Sequence, residues 1–367
     1  MNLATAPQAG RSIFPPDHDQ PIRLMIVDDS PVARAVLSRM IGQQRGFEVV
    51  ALAHSAAEAL KLLRSIHVDI VLLDLEMPEG SGLEALPRIL EEGRGAQVLI
   101  VSSMAEAGAQ AAVRALALGA SDTLPKPGAG IFAGRFAEIL ADRLRRIGRA
   151  RRDSDDADGP ASGRIRLRAL REGPVECLAL GASTGGLHAL NSLLRALPAQ
   201  IGIPILVTQH LPALFMPFFA RQLAEASGRQ AVLAEDRQPL RPDQIHVAPG
   251  TAHLTLERRG SGVRVRLDNT PTPSGCLPSL DPMFEAVAET YGPAGLGVVL
   301  SGMGRDGTRG GEALVAAGGT VFAQDRASSA IWGMPRSAAE AGLASAVAAP
   351  AELARRAAAL VEVARCR

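Results

Sequence analysis

At 367 residues, 47% hydrophobic and 21% charged, the chain has the length and composition of two globular domains rather than one. A formal net charge of +1 gives no reason to expect nucleic acid as a partner. The three cysteines, Cys177, Cys276 and Cys366, are odd in number and far apart, which argues against a disulfide framework or a zinc site and fits a reducing cytoplasm.

Residues 1–20 carry Pro15, Pro16, Asp17 and Asp19 but no apolar core, so they read as a disordered tail and not a signal peptide. From residue 21 apolar runs alternate with helical patterns. Strands are expected at 22–27, 49–53, 70–73, 98–101 and 121–124, and helices at 32–41, 56–64, 83–91, 107–118 and 132–147. Ser30-Pro31 is a good N-cap and first-turn pair for the first helix. Five such β/α repeats predict a doubly wound, flavodoxin-like parallel sheet over residues 21–147.

Ligands of such sheets bind at the carboxyl ends of the strands. Asp28 and Asp29 end the first strand and Asp74 ends the third, where Met77-Pro78 opens the loop. Ser102 ends the fourth, and Lys126 follows the fifth. Converging carboxylates repel one another unless a divalent cation neutralises them, and oxygen-only ligands suit magnesium. An aspartate after a strand is commonly only a helix cap, but five suitable side chains at four strand ends are hard to reach by accident. Lys126 is one of only two lysines, with Lys61, among 39 basic residues. A compact ammonium on a flexible stem suits a phosphoryl oxygen better than a planar guanidinium does.

This half resembles the receiver domain of two-component response regulators. The resemblance implies phosphorylation of Asp74 by a histidine kinase and Mg2+ held by Asp28, Asp29 and the carbonyl of Glu76. Phosphoryl oxygens would be bound by Ser102 and Lys126. Residues 148–174, with mixed charge, glycine and proline, read as a solvated linker.

The second domain spans residues 175–367. Strands are expected at 177–180, 203–207, 245–247, 296–300 and 320–323, and helices at 187–196, 216–227, 281–291, 310–317, 338–344 and 351–364. Residues 254–257 and 263–267 read as a hairpin. A second α/β domain with a mostly parallel sheet and an antiparallel addition is the economical fold. The uncharged stretch 196–220 is long enough to span a membrane, but its four prolines and polar residues argue for a buried strand and a loop, with no membrane insertion.

Ser183 stands in a glycine-rich strand-to-helix turn, His210 after the next strand, and Asp306 after the 296–300 strand. Neighbouring parallel strands would bring the three together as nucleophile, base and base-orienting acid. Amides of Gly302-Met303-Gly304 could stabilise an oxyanion. Alone, Ser183 fits a phosphate-binding loop equally well, and His188, His246 and His253 are competing bases. Gly181-Ala182-Ser183-Thr184-Gly185 also satisfies the nucleophile elbow of α/β-hydrolases, which would need Asp236 or Asp243 ahead of His246 or His253.

The whole second half resembles the catalytic domain of chemotaxis protein-glutamate methylesterases. The motifs are Gly-Ala-Ser-Thr-Gly-Gly (181–186), Gln-His-Leu-Pro (209–212), Val-Ala-Pro-Gly (247–250), Pro-Ser-Leu-Asp (278–281), Leu-Ser-Gly-Met-Gly-Arg-Asp-Gly (300–307) and Gln-Asp…Gly-Met-Pro (324–335). The resemblance implies Ser183 as nucleophile, His210 as general base and acid, Asp306 as its orienter, and Thr184 with the Met303 amide at the oxyanion. No cofactor is implied at this site. The substrates would be γ-glutamyl methyl esters of methyl-accepting chemoreceptors, with possible glutamine deamidation, and the phosphodonor a chemotaxis histidine kinase. The protein is expected to be a cytoplasmic monomer whose receiver covers Ser183 until Asp74 is phosphorylated. Leu277 and Arg326 depart from the family pattern, which expects a basic and an acidic residue there. The competing view is a non-enzymatic receptor- or kinase-binding module on a relic esterase fold.

Overall fold

The computed structural model describes residues 20–77, 81–102, 105–126, 133–155, 165–170, 173–260 and 262–365. The expected tail up to residue 19, Pro78, residue 132 and Cys366 lie outside the described residues, as does much of the expected linker.

The first unit runs β1 (Ile22–Val27), α1 (Pro31–Gly42), β2 (Phe47–Ala53), α2 (Ala56–Leu63), β3 (Ile70–Leu73), α3 (Gly82–Glu92), β4 (Gln97–Ser102), α4 (Glu106–Leu118), β5 (Asp122–Pro125) and α5 (Ala133–Asp155). Its strands lie in the order β2-β1-β3-β4-β5, all parallel, which is the flavodoxin-like arrangement expected. β3 is apolar at every position because helices cover both faces of the sheet. Ser30 caps α1 through the Ala33 amide (3.2 Å), with Pro31 in the first turn. The helix expected to end at 147 continues to Asp155, into the stretch read as linker. Its charged last turns lack the apolar stripe on which that expectation leaned.

The second unit contains β6 (Cys177–Ala182), α6 (Gly186–Ala196), β7 (Ile205–Gln209), α7 (Met216–Ser227), β8 (Ala231–Leu233), β9 (Ile245–Val247), β10 (His253–Arg259) and β11 (Gly262–Asp268). It continues with α8 (Leu280–Tyr291), β12 (Gly295–Val299), α9 (Thr308–Ala316), β13 (Thr320–Gln324), α10 (Met334–Glu340), β14 (Ala344–Ala348) and α11 (Pro350–Arg365). Seven strands form one parallel sheet in the order β14-β13-β12-β6-β7-β9-β8.

Three elements of the second unit differ from expectation, the first being the short edge strand β8, which no expected strand covered. The hairpin β10-β11 is a sheet of its own, packed on α8, instead of an addition to the main sheet. The helix expected over 338–344 ends at Glu340, and Ala344–Ala348 forms an edge strand. Alanine favours helix, but Gly342 at φ +69° turns the chain, and pairing with β13 then holds the next residues extended. No helix among the described residues is long and apolar enough to cross a membrane.

β6 is the middle strand at which the winding reverses: the chain passes from it to β7 on one side and returns to β12 on the other. Such a switch point opens a crevice at the carboxyl ends of the strands. Register fixes it closely, with Gly181 opposite Thr208 on β7 and opposite Val299 on β12. The residues just beyond β6, β7 and β12 therefore face one another.

Candidate active site

Ser183 leaves β6 in a turn that only small residues can make. Gly185 takes φ +73° to start α6, a left-handed conformation that other residues adopt at a cost. A methyl group on Gly302 would stand 2.8 Å from Ser183 Cβ and 2.5 Å from Met334 Sδ, so the post-β12 loop approaches the serine backbone closely. The Ser183 amide donates to the Ser301 carbonyl (2.9 Å), and its carbonyl accepts from Gln209 Nε2 (2.8 Å). Ser301 Oγ donates in turn to the Thr184 carbonyl (2.9 Å).

His210 follows β7 and brings Nδ1 to 3.1 Å from Ser183 Oγ. Its Nε2 lies 2.8 Å from Asp306 Oδ2. An ionised carboxylate only accepts, so Nε2 carries the proton, and the neutral ring presents its Nδ1 lone pair to Ser183. Asp306 is almost wholly buried, while the His210 ring keeps 17% exposure. Asp306 also accepts from Ser279 Oγ (2.6 Å) and the Leu280 amide (2.8 Å). Burial pushes its pKa up, but the hydrogen bonds from His210, Ser279 and Leu280 outweigh that and hold the carboxyl below its usual range. Burial lowers the His210 pKa, yet the hydrogen bonds to Asp306 and Cys276 prevail and raise it to about 9.

The turn carrying Asp306 is held by Asp281, whose Oδ1 accepts from the amides of Gly307 (2.9 Å) and Gly310 (2.8 Å). His253 accepts at Nδ1 from the Ser279 amide (3.0 Å) and with Nε2 reaches the Thr270 carbonyl (3.0 Å), so it supports the loop that supports Asp306. The other histidines point elsewhere. His246 Nε2 accepts from the Arg241 amide (3.3 Å), and exposed His188 reaches the Ala117 carbonyl (3.3 Å). Asp236 and Asp243 accept backbone amides of Leu267 and of Ile201 and Gly202, so the rival Ser-Asp-His order is not assembled.

Of the two oxyanion candidates, the Met303 amide donates to nothing among the described residues. Thr184 Oγ1 is engaged: it donates to Asp122 Oδ2 at the start of β5 (3.2 Å). The Gly185 amide likewise donates to the Ser121 carbonyl (2.6 Å). Leu277 is half exposed, and the Arg326 guanidinium lies over the Trp332 ring at 5.9 Å.

At the first sheet, Lys126 Nζ lies 2.6 Å from Asp74 Oδ2 and 3.0 Å from Asp28 Oδ2. Burial raises the Asp74 pKa against the opposing pull of Lys126. The Glu76 amide donates to Asp74 Oδ1 (3.2 Å). Buried Ser102 Oγ has no partner among the described residues. Carboxylate oxygens of Asp28, Asp29 and Asp74 lie within 4.8 Å of one another, a hard-donor set that fits Mg2+.

Gln209, Ser279, Ser301 and Asp281 serve the site without having been expected there from the sequence, and His253, weighed as a competing base, serves it as a support. All but His253 lie inside the family motifs, and that membership is the signal by which they could have been found.

Two family models match the chain: CheB methylesterase over residues 178–357, and response regulator receiver domain over residues 24–130. A protein-glutamate methylesterase/protein-glutamine glutaminase of Paramagnetospirillum magneticum is 38% identical over 352 residues, covering 89% of this chain and 92% of the relative. A second protein of that name, from Caulobacter vibrioides, is 40% identical over 330 residues, covering 89% and 95%. The crystal structure of the Thermotoga maritima CheB methylesterase catalytic domain matches with a TM-score of 0.50 at 32% identity, covering 52% of this chain and all of that one. With relatives of this identity matched over nine-tenths of their length, the chain belongs to the CheB methylesterase family, in the form that carries a receiver domain.

Proposed function

We propose that the protein is a phosphorylation-gated serine esterase that hydrolyses γ-glutamyl methyl esters of chemoreceptors, and that it also deamidates receptor glutamines. The observation that carries the reading is the continuous relay from Ser183 Oγ through His210 to buried Asp306, at 3.1 and 2.8 Å. His210 Nδ1 takes the Ser183 proton as Oγ attacks the γ-carbonyl carbon. Asp306 keeps the proton on Nε2 and stabilises the imidazolium that forms. The developing oxyanion is met by the Met303 amide and, once released from Asp122, by the Thr184 hydroxyl. His210 then returns its proton to the leaving methoxide, giving methanol, or to the leaving amine, giving ammonia. Water, deprotonated by His210, hydrolyses the acyl-serine.

In the receiver, Asp74 is the phosphoacceptor for a histidine kinase, and Asp28, Asp29 and the Glu76 carbonyl hold Mg2+. That ion, when bound, offsets charge on the transferring phosphoryl group. Lys126 and Ser102 bind phosphoryl oxygens, which requires Lys126 to leave its present pairing. A protein of this kind works on the cytoplasmic portions of receptors as a monomer.

Ser183→Ala tests the assignment. Methanol release from methylated receptor falls to background, while Asp74 still accepts phosphate from a small phosphodonor with Mg2+. Esterase activity persisting in the variant would mean that another residue is the nucleophile.

A further inference from the structure

Cys276 lies at the triad without a role in the reaction above. Its Sγ, a ring nitrogen of His210 and a carboxylate oxygen of Asp306 all lie within 4.8 Å of one another. The three side chains come from separate parts of the fold: the segment between β11 and α8, the end of β7, and the loop after β12. Cys276 and His210 are both partly exposed, so the cluster opens to solvent. The cysteine backbone is held by its own loop, the amide donating to Ser274 Oγ (3.3 Å) and the carbonyl accepting from Thr272 Oγ1 (3.3 Å). The thiol contact with the Ser274 carbonyl is long, at 3.8 Å, and the sulfur's other contact is with His210, so it already lies toward the cluster.

We propose that Cys276, His210 and Asp306 form an inhibitory site for a thiophilic divalent cation, with zinc as the type. Zinc takes sulfur, imidazole nitrogen and carboxylate oxygen at roughly 2.0–2.3 Å in a tetrahedron, which places neighbouring donors roughly 3.3–3.7 Å apart. The cluster reaches that spacing by side-chain rotation about a backbone already in position. The sulfur distinguishes it from the all-oxygen set at Asp28, Asp29 and Asp74, which suits magnesium. Binding releases the Cys276 thiol proton to solvent and takes Nε2 of His210, the ring nitrogen that faces Asp306, so the proton of the neutral ring moves to Nδ1 and affinity rises with pH. The Nδ1 lone pair that Ser183 needs as its base is then occupied by that proton. An imidazole bound to the cation no longer accepts the Ser183 proton, and acylation stops.

The inhibition rests on the esterase reading; the binding does not. The experiment therefore has two arms, both on the full chain and without phosphodonor. In the first, Co2+ is titrated into the wild type and into Cys276→Ser while the near-ultraviolet thiolate-to-cobalt charge-transfer absorption is followed. The wild type develops a band saturating at one ion per chain, and the variant does not. Cobalt on the receiver carboxylates gives no such band. In the second, Zn2+ is titrated against methanol release, with each protein normalised to its own metal-free rate. Wild-type activity falls and returns on adding a chelator, and Cys276→Ser needs about tenfold more zinc or higher for the same loss. A missing band, a band that survives Cys276→Ser, equal zinc sensitivity, or activation by zinc each overturns the proposal. A chain that releases no methanol under any condition sinks the esterase reading alone, since the cobalt arm still decides the site.

Discussion

His210 does its work only as a neutral ring, and its surroundings favour the charged one. With the pKa raised to about 9, most of the imidazole is protonated at pH 7, and protonated Nδ1 offers Ser183 a donor in place of a lone pair. The reactive form grows as pH rises toward the pKa. Esterase activity of the unphosphorylated chain should therefore climb by about tenfold per pH unit below 9 and level above it. A pH–rate profile with its rising limb near the ordinary histidine value would contradict this. Cys276→Ala removes one of the causes that raise the pKa and should move the limb to lower pH. Ser279 acts one step further back. Its hydroxyl is one of three donors that keep Asp306 ionised and aimed at His210. A hydrogen bond to a charged acceptor contributes about 1.5–3 kcal/mol, so Ser279→Ala should lower kcat by about 10- to 100-fold. KM should hardly move, because Ser279 lies beneath the triad; a change confined to KM would place it in substrate contact.

At the scale of elements, the site depends on how closely β6 and the loop after β12 approach each other. Gly302→Ala adds a methyl against Ser183 Cβ and the fully buried Met334 Sδ. Overpacking of this kind costs about 1–3 kcal/mol. The variant should unfold at lower denaturant and lose most esterase activity while still folding, and wild-type stability with wild-type activity would refute the close approach. The position of Ser183, His210 and Asp306 could be anticipated because each follows an apolar run that can only be a buried parallel strand, and parallel strands share a carboxyl edge. Gln209 and Ser301 could not be anticipated in the same way. They serve the site through backbone groups of Ser183 and Thr184, and those contacts depend on strand register, which hydrophobic pattern alone does not set. The same limit explains β14: five residues with three alanines carry helix propensity, and only the unpaired edge of β13 makes them a strand.

Across the whole molecule, the receiver touches the turn after β6 at the Thr184 hydroxyl, the group proposed to meet the oxyanion. β5 carries Lys126 just beyond its carboxyl end and Asp122 at its start, about 13 Å apart along an extended strand. At one end Lys126 pairs with Asp74 and Asp28; at the other Asp122 accepts the Thr184 hydroxyl and pairs with Arg143 at 2.6 Å. α4 packs beside this strand on α6 and α7, and its Val113 and Leu116 share a buried cluster with Leu211 and Phe215 next to His210. If Asp74 is phosphorylated as proposed, the phosphoryl group draws on Lys126, so one short strand would connect the phosphoryl site to the proposed oxyanion residue Thr184, and the two conformations need differ by only a few kcal/mol to gate the enzyme. Asp122→Ala separates this contact from the apolar packing around it. It removes the acceptor that occupies Thr184 and leaves α4 seated. Losing about 1–2 kcal/mol from the closed form raises the unphosphorylated rate of methanol release by about 5- to 30-fold. The phosphorylated rate should change little, because under the proposed gating that form has already released Thr184, so the ratio between the two states narrows. An unphosphorylated rate equal to wild type, with Asp74 phosphorylation intact, would show that the Asp122 contact does not restrain the site and that gating rests on the apolar face of α4.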